Sequence, residues 1–102
     1  MLYWGDIDRA GLSILATLRR AGVPATAILM DEIALDRYAQ LRHETDSQTL
    51  SHNIPNGLTT TETVLYQRLN THHEATGTDL QLEQEHIPIA DAVTAIRTAI
   101  NR

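Results

Sequence analysis

The residues best suited to chemistry stand at the start of the chain, in the string LYWGDIDRAGLSIL. Asp6 and Asp8 are one residue apart, between a short apolar run and a helical pattern. If the backbone stays extended through Ile7, the two-residue period of a strand turns both carboxylates to one side. Carboxylates so placed repel each other. A hard dication such as Mg²⁺, which prefers oxygen ligands, relieves that repulsion. Gly5 and Gly11 carry no side chain, so a phosphate or a neighbouring backbone can come close. A helix starting after Asp8 would aim its first N–H groups at an anion. The same residues admit a plainer role, with Asp8 capping that helix and Asp6 solvated in a loop.

A second acidic pair, Glu83 and Glu85, lies in DLQLEQEHI, where Leu80 and Leu82 alternate with polar residues as along a half-exposed strand. On a strand, Glu83 and Glu85 share the face opposite Leu82. If that strand neighbours the first, one of them reaches a metal at Asp6 and Asp8, directly or through water. Otherwise the pair forms a solvated face whose charge suits the N-terminal dipole of the last helix. Asp31 reads as a helix cap. Arg9 reads as an exposed surface charge that could touch phosphate. The five histidines, His43, His52, His72, His73 and His86, show no H-x-x-x-H spacing, which argues against zinc. Ser13 has no G-x-S-x-G context. Tyr3, Tyr38 and Tyr66 fall in strand or helix stripes and read as packing.

The elements that must position these groups follow from periodicity. Leu2 to Gly5 is a short buried strand. From Ala10 to Ala21, Leu12, Ile14, Leu15 and Leu18 recur at helical spacing, and Gly22 with Pro24 ends that helix. TAILM is a second strand, and Ile33, Ala34, Tyr38 and Leu41 mark a second helix. His43 to Leu58 is polar and reads as a loop. Thr59 and Glu62 form a capping box for a third helix through Leu69. THHEATGT reads as a turn, DLQLEQEHI as a third strand, and Ile89, Ala92, Val93, Ile96 and Ile100 as the apolar face of a final helix opened by Pro88. Strands alternating with helices predict a single α/β domain, a small, mainly parallel, three-stranded sheet with flanking helices. Three strands leave two raw edges, so the chain is expected to form a homo-oligomer or to be the tail of a longer polypeptide.

Composition bounds the rest. The 102 residues fit one domain, and an apolar share of 42% supplies a core. No cysteine is present, which removes disulfides and thiolate chemistry. No apolar run approaches the roughly 20 residues of a membrane span. No signal-peptide pattern opens the chain, so a cytoplasmic location is expected. The formal charge of −5 argues against an autonomous nucleic-acid binder. All eight basic residues are arginine.

Four blocks, YWGDIDRAGLSILATLR, ILMD, LTTTETVLYQRL and LQLEQEHIP, occur in that order. Together they resemble the C-terminal domain of the nuclease subunit of Wadjet-type plasmid-defence systems. That domain is a Toprim-like module, similar to the one in the A subunit of topoisomerase VI. The resemblance covers nearly the whole chain. It implies a partial Toprim, Rossmann-like fold and Mg²⁺ (or Mn²⁺) held by Asp6 and Asp8 beside a scissile phosphate, with Glu83 or Glu85 assisting. It also implies double-stranded DNA as the substrate of the intact protein and other subunits of a defence complex as partners. The family further uses a glutamate on a strand before its D-x-D. Only five residues precede Asp6 here and none is acidic. A domain truncated at its N-terminus, weak or inactive in isolation, is therefore expected. The topoisomerase relatives cut with a tyrosine on a separate helical domain, which this chain lacks. The alternative is a non-catalytic oligomerisation or docking module with a relic acidic site.

Overall fold

A computed structural model describes residues 1–46 and 53–101. Its elements are β1 (Leu2–Tyr3), α1 (Arg9–Arg20), β2 (Thr26–Ala27), α2 (Glu32–Arg37), β3 (His43–Thr45), α3 (Thr60–Thr76), β4 (Asp79–Gln81) and α4 (Ile89–Ile100). Short 3-10 turns occupy Ala39–Leu41 and Gln84–His86. The α/β class is as expected, but the sheet is not one mainly parallel ladder of three strands. β1 and β2 form a parallel pair, while β3 and β4 form a separate antiparallel pair. The two meet at a single antiparallel bridge between Ile7 and Leu82, closed by both backbone hydrogen bonds at 2.8 and 3.0 Å.

Two differences have clear physical reasons. β3 falls inside the polar stretch expected to be a loop. His-Glu-Thr carries no apolar signal because an edge strand shows its side chains to solvent. α3 runs on to Thr76, well past Leu69, because its polar last turns need no core partner and end only where Gly77 takes a left-handed φ of 76°. His72 and His73 are therefore helical rather than part of a turn. His52 lies outside the described residues.

The core gathers Ile7, Leu12, Leu35, Leu65, Tyr66, Leu69 and Leu82. Leu12, Leu15 and Ala16 are the buried stripe of α1. α3 begins at the expected capping box of Thr59 and Glu62. Glu62 also accepts two hydrogen bonds from the Arg19 guanidinium, which ties α1 to the start of α3. Asp31 caps α2 through a 2.9 Å bond from the Ala34 N–H, as its sequence context suggests.

Arg9 differs most from expectation. It is buried, not a surface charge. Its Nε donates to Asp79 Oδ1 at 2.7 Å and Nη1 reaches Asn70 Oδ1 at 3.4 Å. One side chain thus joins α1, α3 and β4. Truncation leaves the Asp79 carboxylate buried without its guanidinium, and breaking such a pair costs about 3–5 kcal/mol. The Arg9→Ala variant should therefore unfold at a much lower urea midpoint than the parent. An Arg9→Met/Asp79→Leu double variant should recover a large part of the difference.

Candidate functional site

Ile7 organises the site. Its side chain is fully buried and its backbone pairs with Leu82, so the flanking Asp6 and Asp8 are carried beside β4, Asp6 partly exposed and Asp8 buried. Asp8 keeps an extended backbone, φ −156° and ψ 173°, and caps α1 by accepting the Gly11 N–H on Oδ1 at 2.6 Å. Its other oxygen accepts from Gln81 Nε2 at 2.5 Å. Asp6 Oδ1 accepts the backbone N–H of Gln84 at 2.9 Å. Gly11 is required here, because a Cβ at that position would stand 2.3 Å from the Asp6 carbonyl oxygen. The Tyr3 hydroxyl donates to the Gly11 carbonyl at 3.3 Å.

The electrostatics show that the carboxylates share one neighbourhood. Burial raises the Asp8 pKa, the bonds from Gly11 and Gln81 counter it, and the charges of Asp6 and Asp79 raise it further. Burial, then Asp8 and Asp6, likewise raises the Tyr3 phenol, so Tyr3 keeps its proton. Among the described residues no arginine or histidine lies within ion-pair distance of Asp6 or Asp8. The donors they have are neutral amides.

Glu83 and Glu85 do not share a strand face. β4 ends at Gln81, Leu82 makes one bridge, and the chain then enters the 3-10 turn. Glu83 is turned to His43 Nε2 at 3.5 Å and His86 Nε2 at 3.4 Å. Glu85 is exposed in the turn. The residues that do approach the aspartates are Gln81, the Gln84 backbone and Tyr3. The signal for them was Leu82. A buried residue bridging Ile7 places Gln81 beside Asp8, but reading QLEQE as continuous strand pointed to the glutamates instead.

The fit to a divalent ion follows from these contacts. Among the described residues no group of three or more His, Cys, Asp or Glu side chains is arranged to hold a metal. A carboxylate offers about four lone-pair positions, so the cap and the glutamine contact leave acceptor capacity on Asp8, and Asp6 has one described bond. Without rearrangement the pair offers an ion that keeps several waters, such as Mg²⁺, little beyond Asp6, since Asp8 is 4% exposed and both its oxygens accept hydrogen bonds. It does not suit an all-protein cage.

Residues 1–96 match the family model described as Wadjet protein JetD, C-terminal. No curated protein matches the chain. Among the described residues no helix is long and apolar enough to cross a membrane.

The Asp8 geometry has a pH consequence. Its folded pKa is raised above the ordinary 3.8. The stability it contributes is therefore complete below that value and is lost as pH rises through the folded one. Asparagine caps a helix about as well as aspartate, and Gln81 can turn its amide to suit it. Asp8→Asn should accordingly match the parent in acid and exceed it in urea midpoint near neutral pH. Asp8→Ala, which loses the cap, should be less stable by about 1 kcal/mol.

Proposed function

The chain belongs to the Wadjet JetD C-terminal family, and on that premise we propose that it is the Toprim-like part of a plasmid-defence nuclease that cleaves double-stranded DNA with Mg²⁺. The observation that carries this reading is the uncompensated acidic pair. Burial first, and the charges of Asp6 and Asp8 after it, raise the proton affinity of Tyr3 and Asp8, and the two carboxylates are steadied by neutral donors only. Such a pair favours an external cation. Arg9, the basic residue next in sequence, is drawn away to Asp79.

In this reading Asp6 and Asp8 hold the ion. When bound, it polarises the phosphate and stabilises the departing oxygen. The chain's own groups orient the ligands. The α1 N-terminus and Gln81 fix Asp8, and the Gln84 N–H fixes Asp6. Tyr3, protonated, is a hydrogen-bond donor at the rim rather than a nucleophile. The resemblance-based role of Glu83 and Glu85 as assisting groups is weaker, since Glu83 is engaged by two histidines.

A second reading, a docking module, is favoured by α4, where Ile89 is 78% and Ile100 67% exposed on one apolar stripe. The two are separable. Titration with Mg²⁺ or Mn²⁺ should change Trp4 fluorescence saturably, because Trp4 lies two residues from Asp6, and the change should vanish in Asp6→Asn/Asp8→Asn. Silence at millimolar metal would sink the nuclease reading. Mass that grows with concentration in light scattering would support docking between copies, and a strict monomer would count against it.

A further inference from the structure

The structure carries a second feature, away from the aspartates, that suits the same class of substrate. An open cleft of about 480 Å³ lies between α3 and the β3–β4 ladder. Leu80 and Glu44 face each other directly across the ladder and form its floor. Arg68, Thr71 and His72, at helical spacings of three and four, form one wall from α3. Arg42, just before β3, stands at the other side with His43. A chain of net charge −5 thus places two arginines and two histidines around one depression.

What is satisfied and what is not decides the ligand. Glu44, the lone acid of the lining, is hydrogen-bonded to His72 Nε2 at 2.8 Å and to the Thr78 hydroxyl at 3.1 Å, so its carboxylate is held to that side of the cleft. Arg68 is steadied from behind by Asp36 at 2.6 Å and Glu32 at 3.5 Å, both from α2. Arg42 has no such direct contact; its charge is felt by Asp36, but beyond ion-pair distance. Its Nε makes a long 3.4 Å bond to the Ala39 carbonyl, and among the described residues no carboxylate lies within ion-pair distance of it. Its terminal nitrogens remain as a planar fork of donors, the geometry that matches a phosphate.

We infer that this cleft binds a backbone phosphate of nucleic acid, with Arg42 as the principal contact. The choice of nucleic acid as source rests on the nuclease reading; the cleft itself does not use the aspartates. The ladder links the two places. Successive β4 residues serve them, Leu80 in the cleft and Gln81 at Asp8. The overall negative charge does not oppose this. It predicts weak, salt-sensitive binding confined to the spot where the arginines concentrate.

The test is anisotropy of labelled duplex DNA with the full chain, in EDTA so that no metal contributes, over a series of salt concentrations. Arg42→Gln should weaken binding about tenfold and lower the slope of log K against log salt by about one. Arg97→Gln, an exposed change on α4, should alter neither appreciably. Circular dichroism should confirm that both variants fold. Asp6→Asn/Asp8→Asn should retain the Arg42-dependent binding, so failure of the nuclease reading would show separately. Equal losses in the Arg42 and Arg97 variants, or no binding by the parent at low salt, would overturn the inference. Inorganic phosphate competing as well as unlabelled duplex, phosphate for phosphate, would overturn nucleic acid as the source.

Discussion

The structure depends on one bridge of backbone hydrogen bonds between Ile7 and Leu82. Each strand pair is too small to stand by itself, since two-stranded units are marginal in water. The bridge binds the parallel pair near the N-terminus to the antiparallel pair formed some seventy residues later. Both bridging side chains are fully buried in one core. Because side chains alternate along extended chain, burying Ile7 turns Asp6 and Asp8 away from it, Asp6 to partial exposure and Asp8 into a buried position under the start of α1 and Gln81. The acidic pair is thus a geometric consequence of a hydrophobic contact.

How much of this could be read from sequence depends on what each signal measures. Helix α1 declared itself through its apolar spacing, although Ile14 of that stripe is exposed, and α3 through its cap, and Asp31 and the Thr59–Glu62 box sit as their neighbours imply. Those are local rules, and local rules hold over a few residues of chain. The sheet was legible only as a class. Which strands pair, and in which direction, is a long-range matter that alternation cannot convey, and β3 is too polar and short to announce itself. The same limit governed the site. D-x-D was visible, and so was the possibility that Asp8 caps a helix, which it does. Gln81 and the Gln84 backbone were not visible, because their meeting with the aspartates is created by the bridge.

Arg9 shows a different failure. A charged residue at the start of an amphipathic helix is ordinarily solvated, and nothing in its neighbours says otherwise. Its partner, Asp79, is seventy residues away. Burying an ion pair is weak evidence of added stability, because desolvation offsets attraction. Here the pair has an effect beyond its own energy. It holds α1 against β4, and it places a further negative charge where it raises the proton affinity of Asp8.

That arrangement explains why the rim is electrostatically unfinished. A fold seeking only stability would set an arginine against two adjacent carboxylates, and this chain has eight to choose from. Instead Arg9 is directed inward, Arg19 to Glu62, Arg37 to Asp91 and Arg68 to Asp36. Asp6 and Asp8 receive an amide side chain and two backbone N–H groups, which orient the oxygens but add no positive charge. Neutral donors fix geometry without adding a positive charge, so the carboxylates keep their negative field. Asp8 is thus first the cap of α1, buried with both oxygens bonded, and the acidic pair beside Ile7 has no cationic partner among the described residues.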